Sequence, residues 1–421
     1  MNQEKQTYFP TIENVKIAAK AIRKVSTVTP LGHSLRYSKQ YDSNIFLKRE
    51  DLQQVRSYKI RGAYNKISSL STEQSKKGVV CASAGNHAQG VALSCKLLKI
   101  KGTIYMPAPT PNQKVEQVKM FGEDFIEIKL EGDTFDDSYY AAIAECNGLK
   151  KTFIHPFNDE KVIEGQATIG LEILEQFDAS IDYVFIAVGG GGLAAGLSTV
   201  FKALSPNTKI IGVEPEGAPS MSESIKNDKN TELKSIEKFI DGAAVKRVGD
   251  LNFAICKENL DDMITVPEGK VCETILELYN KDAIVVEPAG ALSISVLDFY
   301  AEKIKDKNVV CVVSGSNNDI TRTPEIKERA LLYANLKHYF IINFPQRAGA
   351  LKEFVVDILG ENDDITYFQY AKKTNRENGS AVVGVQLKSA SDLEPLIKKM
   401  KQNDFYGDYL NDKPDLFQFL V

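Results

Sequence analysis

The stretch YVFIAVGGGGLAAG, residues 183–196, decides how this chain folds. Its first six residues are apolar, as in a strand buried on both faces, and four consecutive glycines follow them. Leu193, Leu197 and Val200 then keep the spacing of one helix face. A strand that turns through glycines into a helix predicts an α/β fold. The unshielded N–H groups at the helix start favour a phosphate site, and a tight packing turn is the alternative.

Similar strand patterns alternate with helical patterns from about residue 44 to about residue 320. They are GVVCA (78–82), GTIYM (102–106), FIEIKL (125–130), KIIGVE (209–214) and NVVCVVS (308–314). Their apolar, β-branched composition predicts buried parallel strands with helices on both faces. Such sheets bind ligands where the carboxyl ends of the strands meet. The loops that follow the strands are therefore the candidate sites.

Composition narrows the class of protein. The chain has 421 residues, enough for two or three domains, and its net charge of −4 argues against nucleic acid or an anionic membrane as partner. The N-terminal MNQEKQTYFP lacks the apolar run of a secretion signal, so we expect a cytoplasmic protein with small ligands and no membrane span. Six scattered cysteines and four histidines without ligand spacing predict reduced core thiols and no metal site.

The pattern changes after the charged helical segment RTPEIKERALLYAN, residues 322–335. Beyond it, strand and helix patterns follow in the order βαββαβ, which describes a ferredoxin-like α+β module. We predict a catalytic domain at 1–322 with a small subdomain at about 48–150, a helical connector at 323–336 and a second domain at 337–421.

A lysine stands at the head of a predicted helix in SYKIRGAYN, residues 57–65. An apolar stripe with helical spacing starts at Ile60 and ends at Ile67, and Ser57 is positioned to cap the helix. Lys59 then lies in or before the first turn, where the helix dipole disfavours an ammonium group. A neutral amine there suits covalent chemistry with a carbonyl group, and an ordinary solvated lysine is the alternative.

Two further loops after strands carry polar groups. In CASAGNHAQG (81–90), small residues let the backbone approach a ligand, and Asn86 and His87 at a helix start suit a carboxylate. A helix cap and a half-buried surface histidine are the alternatives. In SGSNND (314–319), Ser314 follows a strand, where its hydroxyl can meet a ring nitrogen, although alone it is typical of a turn.

A nicotinamide oxidoreductase is the second interpretation. Gly190, Gly192 and Ala195 satisfy G-x-G-x-x-A, and Glu214 ends the next strand, as a ribose-binding acid does. The motif lies in the middle of the chain, however, and hydride transfer leaves Lys59 without a role.

Five blocks in one order resemble the signatures of the threonine dehydratases. They are KREDLQQVRSYKIRGAYN (48–65), ASAGNHAQGVA (82–92), GGGGL (189–193), EPAGA (287–291) and SGSNND (314–319). The resemblance covers about residues 10–330 and implies pyridoxal 5'-phosphate as cofactor, on the two-subdomain fold type II, the tryptophan synthase β-like fold. It implies conversion of L-threonine to 2-oxobutanoate and ammonia, the first step of isoleucine biosynthesis, with L-serine as a second substrate. The last domain resembles the ACT-like regulatory domain of the biosynthetic form.

The resemblance also implies roles for individual residues. Lys59 carries the cofactor aldehyde and moves the Cα proton, and Tyr58 packs beside the ring. The cofactor phosphate is assigned to Gly189, Gly190, Gly191, Gly192 and Leu193, the ring hydroxyl to Asn86, the pyridine nitrogen to Ser314, and the substrate carboxylate to Ser83, Gly85, Asn86 and His87. A serine at the ring nitrogen, instead of an aspartate, makes the ring a moderate electron sink and favours elimination over transamination.

Three implications of the resemblance concern neighbouring activities and regulation. Ala84 replaces a second serine of the related serine racemases, so racemisation is expected to be poor. The cation site of those relatives maps to Glu214, Ala218 and Ser220, and because serine replaces an aspartate we assign no metal. FPQRAGAL (344–351) resembles the ligand-proximal turn of ACT-like units, which implies isoleucine and valine as effectors in a homotetramer.

Overall fold

The computed structural model describes residues 8–370, 378–413 and 415–417, and the chain divides into two compact units, Met1–Asp319 and Ile320–Val421. The strands of the first unit are β1 Leu31–His33, β2 Asn44–Arg49, β3 Val79–Ala82, β4 Gly102–Met106, β5 Ile126–Leu130, β6 Thr152–Phe153, β7 Tyr183–Ala187, β8 Lys209–Pro215, β9 Asp262–Val266 and β10 Asn308–Val313. Its helices are α1 Ile12–Ile22, α2 Leu35–Gln40, α3 Lys59–Ser68, α4 Thr72–Lys77, α5 Asn86–Leu98, α6 Asn112–Gly122, α7 Phe135–Leu149, α8 Glu160–Gln176, α9 Gly192–Leu204, α10 Ser220–Lys226, α11 Asp250–Asn259, α12 Glu268–Asp282, α13 Pro288–Ser295 and α14 Leu297–Ile304.

The larger sheet of this unit has the strand order β1-β2-β10-β7-β8-β9. All its neighbours are parallel except β1 and β2, which are antiparallel. Almost every residue of β7, β8 and β10 is buried, because helices such as α9 and α13 pack on these strands. The buried parallel strands predicted at 183–188, 209–214 and 308–314 and the strand–glycine–helix unit are confirmed. The strand predicted at 125–130 is present as β5, but it is partly exposed and not buried.

A second, smaller sheet in the same unit has the order β5-β4-β3-β6 and is parallel throughout. Helices α3 and α5 pack together beside it around a core that includes Ile60, Ala63 and Ile67. The predicted stripe of α3 is therefore its buried face. Helix α3 also packs on α8, which precedes β7 of the larger sheet.

A buried ion network ties α3 to its surroundings. The Arg61 guanidinium is fully buried, with Nη2 2.8 Å from Glu50 Oε1 and Nη1 2.6 Å from Glu172 Oε1. Lys48 Nζ lies 2.7 Å from the other oxygen of Glu172. These contacts join β2, α3 and α8, and so they fix the helix that begins at Lys59.

The second unit forms a four-stranded antiparallel sheet with the order β12-β13-β11-β14. Its elements are α15 Thr323–Tyr333, β11 Lys337–Pro345, α16 Ala350–Glu353, a π-helical turn at Phe354–Ile358, β12 Asp364–Tyr370, β13 Asn378–Gln386, α17 Leu393–Gln402 and β14 Tyr406–Tyr409. The predicted βαββαβ order is confirmed. None of the helices in the described residues has both the length and the apolar composition needed to cross a membrane.

Candidate active site

Lys59 is the first residue of α3, as the sequence predicted. The predicted cap is wrong, because Tyr58 occupies the N-cap position and the helix has no side-chain cap. Ser57 instead pairs through its backbone with Gly315, and its hydroxyl is buried without a hydrogen-bond partner. The half-buried Lys59 amine donates to Pro156 O at 2.9 Å, and its nitrogen lies 5.1 Å from the centre of the Tyr58 ring.

The tetraglycine turn lies between β7 and α9, and several of its positions exclude a side chain. Gly191 has a φ of +88°, and a Cβ atom added at Gly190 would lie 2.3 Å from Phe157 Cδ1. Among the described residues, none accepts a hydrogen bond from the backbone N–H groups of residues 189–193. Free N–H groups at a helix start form a cradle for a phosphate group. The turn therefore fits the anionic end of the predicted cofactor.

The loop after β3 leads into α5 and presents a second row of donors. Ser83 and Asn86 are half-buried, and Ser83 Oγ accepts from the N–H of Gly85 at 3.2 Å. Within the described part of the chain, the N–H groups of Asn86 and His87 have no acceptor. They are available to a carboxylate, and carboxylate binding by this loop stays a prediction.

The side chain of His87 does not support a role in binding the carboxylate. It is buried, and its Nε2 contacts Ile154 O at 2.8 Å. Burial, together with the charge of Lys59, lowers the pKa of His87 to about 3, so the ring is neutral. The free N–H group of His87, and not its ring, is therefore the group available to a carboxylate, which revises the basis of its predicted role.

Ser314 and the residues around it bring the end of β10 next to α3 and α5. The Ser314 hydroxyl is buried and donates to Ala289 O at 3.3 Å, while its carbonyl accepts from the N–H of Tyr58 at 3.2 Å. Asn317 Nδ2 donates to Asn86 Oδ1 at 2.5 Å, and Asn86 Nδ2 donates to Glu287 Oε1 at 2.7 Å. These contacts hold the Asn86 amide in one orientation.

Glu287 opens the EPAGA block, for which no individual residue role was predicted. The residue is 6% exposed, and burial, reinforced by the charge of Asp241, raises the pKa of its carboxyl to about 7. The bond from Asn86 and the charge of Lys59 oppose this change. A carboxyl beside the Asn86 amide can thus hold or release a proton near neutral pH.

The loop between β6 and α8, residues 154–159, was not predicted from the sequence to be part of the site. Pro156 receives the Lys59 amine, and the Phe157 ring packs on Gly190. His155 Nδ1 accepts from the N–H groups of Phe157 and Asn158 at 3.1 and 2.8 Å, and burial lowers the pKa of His155 to about 4. The signal was available, because HPFND follows a strand and precedes a helix.

Glu214 accepts hydrogen bonds from the helix that follows its strand. Its fully buried carboxyl accepts from Met221 N at 2.6 Å and from Ser222 N and Oγ at 2.9 and 2.7 Å. These contacts bind it to the first turn of α10, and burial raises its pKa to about 7. Glu214 is therefore not available to bind a ribose, which argues against the dinucleotide interpretation.

The assembled residues fit pyridoxal phosphate. The amine of Lys59 and the N–H groups of the tetraglycine turn are linked through consecutive residues, since Pro156 contacts the amine and Phe157 contacts Gly190. The hydroxyl of Ser314 and the amide of Asn86 supply further polar groups at the site. An aldehyde with a phosphate tail requires an amine that can bond to its carbonyl carbon and an anion cradle near that amine. This site supplies both.

Comparisons with known proteins agree with this geometry. Residues 22–315 match the family described as pyridoxal-phosphate dependent enzyme, and residues 328–420 match the C-terminal regulatory domain of threonine dehydratase. The predicted family, fold type and cofactor are confirmed.

Relatives extend over nearly the whole chain. Biosynthetic L-threonine dehydratase from Halalkalibacterium halodurans is 53% identical over 410 residues, 97% of this chain and 99% of the relative, and its counterpart from Bacillus subtilis is 53% identical over 99% of both chains. The solved processed form of threonine deaminase isoform 2 from Solanum lycopersicum has 40% identity and a TM-score of 0.72, covering 76% of this chain and 95% of its own. Maize serine racemase has 30% identity and a TM-score of 0.71, covering 77% and 99%. The chain therefore belongs to the pyridoxal-phosphate-dependent threonine dehydratases of the biosynthetic type, which carry a C-terminal regulatory domain.

Proposed function

We propose that this chain converts L-threonine to 2-oxobutanoate and ammonia, with pyridoxal phosphate bound covalently to Lys59. The observation that carries the proposal is the link between Lys59, Pro156, Phe157 and Gly190, which sets an amine and an anion cradle side by side. L-Serine is a second substrate, because a pocket discriminates only modestly against the loss of one methyl group.

Particular residues of the chain bind the substrate and move its proton. When bound, the cofactor withdraws electrons from Cα of the amino acid and so makes its Cα–H bond acidic. Lys59 takes the Cα proton, and the N–H groups of Asn86 and His87, with the hydroxyl of Ser83, hold the carboxylate. Ser314 offers the ring nitrogen a neutral hydroxyl, which favours loss of the β-hydroxyl group over transfer of the amino group.

The test is covalent labelling of the purified protein. After incubation with pyridoxal phosphate and reduction with borohydride, the label should lie on Lys59, and added L-threonine should release a ketoacid from the unreduced enzyme. Lys59→Ala should lose both the label and ketoacid release. Lys66→Ala is the matched control on the same helix, since Lys66 pairs with Asp159 at 2.6 Å. A label on another residue, or on none, would contradict the proposal.

The second part of the proposal concerns regulation and assembly. Isoleucine and valine bind the second unit near residues 344–351, where Arg347 pairs with Glu353 and Gly349 turns the chain into α16. The support is the match of this region to a regulatory domain. The chain assembles as a homotetramer and acts in the cytoplasm.

Deletion of residues 337–421 tests the regulatory assignment. The shortened enzyme should keep ketoacid release but lose any change of rate on addition of isoleucine, while the full chain responds. A response that persists without these residues would place the effector elsewhere. Light scattering of the full chain measures the assembly, and a mass other than four chains would refute the tetramer.

A further inference from the structure

Asn252, on α11, joins the two halves of the cofactor site. The residue is fully buried, and it belongs to none of the sequence blocks that resemble the family. Its Nδ2 donates to Gly190 O at 2.6 Å and to Phe157 O at 3.1 Å. One amide group thus contacts both the tetraglycine turn and the loop that receives Lys59.

The orientation of this amide follows from its neighbours. Asn252 Oδ1 is buried and has no hydrogen-bond partner. Reversing the amide would place this oxygen against the two carbonyl oxygens of Gly190 and Phe157, where only a donor is acceptable. The orientation with Nδ2 towards the two carbonyls therefore satisfies both of them, and the reverse orientation would satisfy neither.

The contact with Gly190 determines where the next N–H group points. The peptide between Gly190 and Gly191 is trans, so the N–H of Gly191 points away from the carbonyl of Gly190. Asn252 and the N–H of Gly249, at 3.2 Å, hold that carbonyl towards α11. The N–H of Gly191 is consequently directed to the opposite side, into the cradle.

The contact with Phe157 acts on the other loop. It fixes the backbone that follows Pro156, whose carbonyl receives the Lys59 amine at 2.9 Å. The turn also lies directly on Asn252, because a Cβ atom added at Gly191 would be 2.9 Å from Asn252 Cβ.

We propose that Asn252 is a positioning residue that sets the tetraglycine turn for the cofactor phosphate before the cofactor binds. The inference rests on the proposed function, because it takes the cradle as the phosphate site. Asn252 touches neither the cofactor ring nor the substrate in this assignment. Its removal should weaken binding of the phosphate group and spare binding of the aldehyde.

The experiment compares two probes on the apoprotein, prepared by removing the cofactor from the full chain. Pyridoxal phosphate and pyridoxal, which lacks the phosphate, are titrated separately and followed by absorbance. Asn252→Asp keeps the shape of the side chain but removes both donors. The matched control is Asn259→Asp on the same helix, where Asn259 Nδ2 donates to the hydroxyl of Ser198, at 3.4 Å.

The expected result is a loss of affinity for pyridoxal phosphate of about tenfold or more in Asn252→Asp, since each lost hydrogen bond is worth up to about a factor of ten. The affinity for pyridoxal should be unchanged in that variant, and both affinities should be unchanged in Asn259→Asp. Equal losses for the two probes, or no loss for either, would overturn the proposal.

A second variant and a reference keep the test decisive. If Asn252→Asp does not fold, Asn252→Ala removes the donors without adding a charge and carries the same expectation. Wild-type protein that binds pyridoxal phosphate no better than pyridoxal would count against the phosphate cradle itself, and therefore against the proposed function. Wild-type discrimination that is retained in both Asn252 variants would count against the role of Asn252 alone.

Discussion

The wild-type chain should become less stable as the pH rises from 4.5 to about 7, because Glu287 then loses its proton. The variant Glu287→Gln should not show this decrease. The substitution keeps the shape of the side chain and leaves an oxygen to accept the 2.7 Å bond from Asn86 Nδ2. It removes only the proton equilibrium of a carboxyl that is buried beside Asp241, Lys114 and Lys59.

The magnitude follows from the pKa. The folded state raises the pKa of Glu287 from 4.5 to about 7, which corresponds to roughly 3 kcal/mol of preference for the protonated form. Because the folded carboxyl keeps a proton that the unfolded chain releases, stability is complete below pH 4.5 and is lost as the pH rises through about 7. The neutral glutamine has no such dependence.

The assay is urea unfolding of the two apoproteins at about pH 5 and about pH 8, with the free energy of unfolding from linear extrapolation. Between these two pH values, the free energy of unfolding of the variant should rise by roughly 2 to 3 kcal/mol relative to that of the wild type. Glu214, His87 and His155 are present in both proteins, so their titrations cancel. Glu13→Gln, at an exposed position of α1, is the control and should follow the wild type. A difference between Glu287→Gln and wild type that does not change with pH would refute the reasoning.

Three further predictions test other parts of the molecule. Arg61→Met leaves the fully buried Glu50 carboxylate without its ion pair and Glu172 with Lys48 as its remaining cation, and it should lower the free energy of unfolding by about 3 kcal/mol or more; Lys77→Met, at an exposed ion pair, should change it little, and similar losses in urea unfolding would contradict this. Gly190→Ala places a Cβ atom 2.3 Å from the Phe157 ring and should weaken pyridoxal phosphate binding by about tenfold or more in an absorbance titration; unchanged binding would show that the ring moves freely. His87→Gln should resist acid better by circular dichroism, since burial lowers the pKa of His87 from 6.5 to about 3 and its stability contribution is lost as the pH falls through this range; coincident acid transitions would disprove it.

The amino-acid sequence by itself determined the architecture and the chemistry. Alternating apolar strands and helical stripes were sufficient for the parallel sheets and for the βαββαβ order of the second unit, because these patterns report burial within a few residues. The tetraglycine run was sufficient for a turn whose positions exclude side chains, while its use by a phosphate group stays a prediction. The order of the five motifs was sufficient to identify the family.

Tertiary structure alone decided which groups act together. Lys59 meets a carbonyl 97 residues away, and Asn86 meets Glu287 across 201 residues. Asn252 stands in an ordinary helix pattern, and nothing near it in the sequence indicates that it contacts two distant loops. Ser57 shows the converse, because its local pattern suggested a cap while its backbone pairs with Gly315. Periodicity registers only neighbours along the chain, whereas hydrogen-bond partners and burial, which set both proton affinity and orientation, depend on segments that meet only after folding.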